Sequence, residues 1–162
     1  MRLDLSIVNR HSPYTVFQEE HAYYFWTAYD ILYMVTFEED AFGGNDVFWF
    51  NLANLSRKNS PGDRKVQDTI VCVIEEFFRM NRDVLLYLCD TANDQQAMRA
   101  RLFSRWFNSY EAKQKYILRS DIVEAEGQTD YVALIVSREN PYAEQIVQLF
   151  EAEIKIFKEN KI

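Results

Sequence analysis

An α+β fold is predicted for this chain, with a mixed, mostly antiparallel sheet of about six strands, three helices and the order β-β-β-α-β-α-β-β-α. Three observations predict it. Aromatic and β-branched runs without helical spacing fill the first third of the chain. Apolar residues at helical spacing follow in Val66, Ile70, Val73, Ile74, Phe77 and Phe78. A short unbroken apolar run, Val84 to Cys89, then leads into a second amphipathic segment.

Each element has a local reason. Residues 1–12 carry no sustained pattern and read as a loose arm within a single domain spanning 1–162. Tyr14-Thr15-Val16-Phe17 suits an edge strand, and Tyr23 to Thr27 and Ile31 to Phe37 suit a hairpin closed by Ala28-Tyr29-Asp30. Gly43-Gly44-Asn45-Asp46 marks a loop before the strand Val47 to Leu52. Ser60 as N-cap, Pro61 in the first turn and Asp63 start a helix that runs to Met80. Val84 to Cys89 reads as a central strand covered on both faces. Asn93, or Thr91 with Asp94, caps a second helix that buries Met98, Leu102, Phe103, Trp106 and Tyr110 and shows Arg101 and Arg105 to solvent. Two strands, Asp121 to Glu126 and Tyr131 to Ser137, join through Glu126-Gly127-Gln128-Thr129. Asn140-Pro141 opens a last helix with Ile146, Leu149, Phe150, Ile154 and Phe157 on its apolar face.

Composition narrows the function classes. The net charge of −7 argues against nucleic-acid and anionic-membrane binding. No apolar run reaches membrane-spanning length, and the amino-terminal residues lack the apolar stretch of a signal peptide. Cys72 and Cys89 lie in apolar surroundings and read as reduced, buried thiols of a cytoplasmic protein. Aromatic residues reach 15%, most of them for the core, yet Trp26, Trp49 and Trp106 also suit a ligand groove or a homodimer face.

The element order resembles the GNAT N-acetyltransferase fold over residues 23–137, with the closing helix as an addition. The resemblance implies a loop that opens a helix and cradles the pyrophosphate of acyl-CoA on backbone N–H groups. Asp63 to Thr69 stands at that place without the close-approach glycines, and Asp68 sets a carboxylate where the diphosphate would lie. The family's general-acid tyrosine aligns with Phe103, which cannot donate a proton, and Tyr110 lies two turns on. The chain also resembles a small bacterial family of unknown activity that carries a Cys-Asp pair, a second Asp and Arg-x-x-x-Phe-x-x-Trp-Phe. Here these are Cys89, Asp90, Asp94, Arg99, Phe103, Trp106 and Phe107, with Asp63, Lys65, Val66 and Asn140-Pro141-Tyr142 completing the pattern.

Asp90 ends the central strand, where open sheets place ligand groups. Asp90, Arg99, Arg101 and Trp49 are therefore the ligand-binding candidates, and Asp90 and Tyr110 the candidates for catalysis. Asp68, Glu75 and Glu76 read as an exposed acidic side of the first long helix. His11 and His21 have no ligand-spaced companions, so no metal is expected. The leading reading is a binding or regulatory protein on a degenerate GNAT-like scaffold, without cofactor, whose partner is another protein or a small polar ligand. The alternatives are an atypical acyltransferase, which would use acetyl-CoA, and a structural homodimer subunit.

Overall fold

The structure is a computed structural model that describes residues 2–40, 47–59, 61–80, 84–90 and 104–159. It is a mixed α+β protein whose described residues form seven strands, mostly antiparallel. The chain divides into two compact units, Met1–Glu38 with Phe50–Asn81 and Glu39–Trp49 with Arg82–Ile162.

The first unit begins where the sequence reading leaves an arm. The Asp4 carboxylate accepts the Ser6 N–H at 3.0 Å and starts helix α1 (Leu5–His11). Leu3 and Val8 are buried, and α1 lies against helix α2 (Arg64–Met80). Asn9 then clamps the backbone of Val16 twice, accepting its N–H at 2.8 Å and donating to its carbonyl at 2.9 Å. Polar side chains satisfying backbone groups order this segment, a signal that hydrophobic periodicity does not carry.

Strands β1 (Phe17–Glu19), β2 (Ala22–Trp26) and β3 (Leu32–Glu39) form an antiparallel meander, with Phe17 opposite Tyr24 and Phe25 opposite Tyr33. The expected hairpin is present: Thr27 N–H donates to the Ile31 carbonyl at 2.9 Å, and Asp30 takes a positive φ of 59°. Strand β4 (Val47–Asn54) follows, and at one end the Leu55 N–H donates to the Leu32 carbonyl at 2.8 Å. An aromatic ladder fills this core. Phe25 stacks on Tyr33 at 5.3 Å, and Phe37 meets Phe50 at 5.6 Å and Phe77 at 4.9 Å.

Helix α2 buries Ile70, Val73, Ile74, Phe77 and Phe78 as its spacing predicts. Its start differs from expectation. Ser60 lies outside the described residues, and the cap is Asp63, whose carboxylate accepts the Lys65 N–H at 3.0 Å and the Tyr14 hydroxyl at 2.6 Å. Burial and this carboxylate push the Tyr14 phenol up.

The second unit holds strands β5 (Val84–Asp90), β6 (Tyr116–Ala125) and β7 (Gln128–Ser137) in the order β5-β7-β6, all antiparallel. Helix α3 (Tyr110–Lys115), capped by Ser109, leads into β6, and residues 104–107 are helical before it. Trp106 is buried and tilts onto Tyr116 at 5.5 Å. Helix α4 (Ala143–Glu159) starts after Asn140, which accepts the Tyr142 N–H at 2.9 Å. It packs Ala143 and Val147 against Val84, Leu134 and Val136. Leu149, expected on this face, is 65% exposed, and Phe157 is half-exposed. A sheet face covers only a stripe of a helix, and Leu149 lies round the turn from it, whereas Phe157 is on the stripe but in the last turn of the helix, two turns beyond Phe150.

The expectation of about six strands and three helices is thus corrected. The seventh strand is β1, and the added helices among the described residues are α1 and α3. The β6–β7 turn is tighter than expected. Ala125 pairs with Gln128, and Glu126 and Gly127 both take positive φ, 52° and 77°, as a two-residue type I′ turn requires. Glutamate pays the steric cost of the left-handed region that asparagine largely avoids. Glu126→Asn is expected to raise stability by about 0.5–1 kcal/mol, read as a higher midpoint in thermal melts followed by far-UV circular dichroism.

Candidate functional site

The β5 run reaches the surface at its carboxyl end. Val84, Leu85 and Tyr87 are buried, but Leu88 is 52% exposed, so the strand is not covered throughout as its apolar sequence suggests. Here Cys89 stands opposite Tyr131, and Asp90 opposite Asp130. On the other side of β7, Tyr131 pairs with Ile122 and Asp130 with Val123.

Tyr131 is the chemically informative residue at this end. It is 8% exposed, and its buried hydroxyl has no hydrogen-bond partner among the described residues. A buried hydroxyl left without a partner costs about 1–3 kcal/mol. Small Ala133 lies between Tyr87 and Ser120 in the neighbouring register row. A phenol here can donate to an acceptor or accept from a donor on an incoming group. Asp130 and Tyr131 are consecutive on β7 and leave opposite faces of the sheet, so Asp130 does not serve this hydroxyl.

The residues singled out from sequence fall as follows. Asp90 is the last residue of β5. Tyr110 opens α3, which enters β6 at Tyr116, the Cα partner of Ser137. Val136 pairs with Val84, so this junction lies at the Val84 end of the ladder and Asp90 at the other. The register does not bring the two together. Trp49 is half-buried in β4 between buried Phe48 and Phe50. Arg99 and Arg101 lie outside the described residues. Arg105 is exposed as expected. Cys72 is half-buried, and its thiol is pushed up by burial and then by the carboxylates of Glu75 and Asp68. Among the described residues no cluster of His, Cys, Asp and Glu could hold a metal ion.

One expectation is overturned in the first unit. Glu76, read as exposed, is 2% exposed. Its carboxylate accepts the Asp4 backbone N–H at 2.9 Å, and Arg79 grips it through Nε and, at 3.1 Å, through Nη2. Asp68 and Glu75 are exposed as expected. The cause is α1, whose amino end covers this part of α2. Tyr131 and Glu76 were both legible in part. A tyrosine inside the aliphatic run Tyr131 to Val136 needs a use for its polar tip, and Glu76 with Arg79 has the spacing of a helical ion pair.

Fold and site together define a mixed α+β protein with a buried, polar-tipped position in the sheet of its second unit. The chain belongs to DUF6169, a family of unknown function, whose model matches residues 62–152, more than half of the sequence. That segment contains Asp63, Cys89, Asp90, Trp106, Tyr131 and Asn140-Pro141-Tyr142. No curated protein and no solved structure matches the chain. No helix among the described residues is long and apolar enough to cross a membrane.

Proposed function

We propose that this is a cytoplasmic binding or regulatory protein on a degenerate GNAT-like scaffold, and that it takes a small polar ligand at the Tyr131 hydroxyl. The observation that carries the reading is that hydroxyl, buried and without a partner among the described residues. Asp90 pairs with Asp130, one register row beyond the Cys89–Tyr131 pair and so in the row of the other sheet face, and the ligand group proposed here is the Tyr131 hydroxyl alone. The order of strands and helices, with α2 between β4 and β5 and the antiparallel set β5-β7-β6 after it, supports the scaffold assignment.

A binding role is favoured over acyl transfer by the start of α2. The resemblance would seat a pyrophosphate there, but the Asp63 carboxylate already takes the Lys65 N–H and the Tyr14 hydroxyl. An incoming diphosphate would meet this negative charge and would have to displace a helix cap.

Tyr131→Phe tests the reading without knowledge of the ligand. If the hydroxyl waits for a ligand, its removal relieves an unsatisfied group and raises the stability of the unliganded protein by about 1 kcal/mol. A loss of stability in urea unfolding would mean that the fold itself uses the hydroxyl, and would sink the proposal. Native mass spectrometry with added acetyl-CoA should give no adduct. A retained adduct would favour the acyltransferase alternative.

A further inference from the structure

Strand β6 ends the order β5-β7-β6, and among the described residues it pairs with β7 alone. Ten residues long and bearing Ile122 at 53% exposure, it is an edge that could extend the sheet. Its outward groups can be identified. Ala125 and Gln128 close the two-residue hairpin, so odd-numbered residues of β6 bond to β7 and even-numbered ones point away. Two of the outward groups meet neighbouring side chains instead of a strand. The Ile122 N–H donates to Asp121 Oδ1 at 2.8 Å, and the Leu118 carbonyl accepts from Arg119 Nη1 at 3.0 Å.

We propose that the β6 edge is a homodimer interface, in which β6 of a second copy pairs antiparallel about a two-fold axis at Ser120. Only registers that set even-numbered residues against even-numbered residues join the outward groups. A centre at Arg119 would oppose two arginines, and a centre at Asp121 two aspartates. The Ser120 centre opposes Arg119 with Asp121 of the second copy twice, Leu118 with Ile122, and Ile117 with Val123. The strand is complementary to itself in charge and in apolar content only in this register. The side chains that shield the edge in one chain are the same ones released to pair across the axis. The Leu118 carbonyl and the Ile122 N–H then satisfy each other between copies. Arg119 and Asp121 also reach α4, at 3.5 Å to Glu151 and 2.8 Å to Lys158, so each interchain pair would extend to four charges.

A strand edge buries less than a standard stable interface, so a dissociation constant of about micromolar is expected. Sedimentation equilibrium of the whole chain through the micromolar range tests this. The expected result is a concentration-dependent rise from 19.3 kDa to twice that mass. Arg119→Asp places like charges opposite each other twice and should weaken the dimer about tenfold or more. Adding Asp121→Arg to that variant reverses both charges and should restore it, since the exposed pairs with α4 contribute little. Far-UV circular dichroism confirms that each variant is folded. A wild-type monomer at every concentration overturns the proposal. So does a dimer indifferent to Arg119→Asp, or one that the double exchange does not restore.

Discussion

Phe77→Ala is expected to destabilise the protein by about 3–5 kcal/mol, the largest effect of any single truncation considered for this chain. Phe77 is fully buried on α2, stacked face to face on Phe37 and edge-on to Phe78. Phe37 in turn meets Phe50 and Tyr23, so one ring anchors contacts to three strands. Truncation removes the transfer free energy of the ring and leaves a cavity that neighbouring rings, themselves stacked, cannot close. Urea unfolding should show a midpoint shift of that size, with near-UV circular dichroism weakened before the far-UV signal. Phe78→Ala, whose ring lies at the rim of the same stack, is the internal comparison and should cost less.

Glu76→Ala is the second. Its carboxylate satisfies a backbone N–H from Asp4 and both ends of the Arg79 fork. Removing it strands the amide and leaves Arg79 without its counter-ion, which costs about 2–4 kcal/mol; the lower part applies because Arg79 is half-exposed and can turn to water. Glu76→Gln keeps an acceptor for the amide and should cost about half as much. Hydrogen exchange separates the two causes. The α1 amides should lose protection in the alanine variant and largely keep it in the glutamine variant. Unchanged α1 protection in both would remove Glu76 from the docking of this helix.

The elements with strong period or turn chemistry were legible. The α2 stripe, the hairpin at Ala28-Tyr29-Asp30, the Glu126-Gly127 turn and the Asn140 cap each have a local physical cause written in adjacent residues. The misses share another origin. α1 is seven residues long, too short for periodicity, and is ordered by Asp4, Asn9 and Glu76 through bonds that reach up to 72 residues along the chain. Reading residues 1–12 as an arm and Glu76 as exposed was therefore a single error, since the second follows from the first. The outward position of Leu149 depends on how wide a stripe one sheet face covers, which the α4 sequence does not state. Of the candidate site, Asp90 at the end of β5 could be placed from sequence, whereas the isolation of the Tyr131 hydroxyl depends on which neighbours surround it.

The bond between Asp4 and Glu76 also sets an order of events during synthesis. The helix that needs the carboxylate leaves the ribosome first, and the carboxylate follows 72 residues later. At about 5–20 residues per second this is a wait of about 4–15 s, in which α1 lacks the α2 surface it packs against and Leu3 and Val8 stay available to any factor that screens nascent apolar segments. A short helix of this kind cannot hold itself together in water meanwhile. This helix is thus translated well ahead of the surface it needs, and its docking closes over Glu76 once α2 has formed.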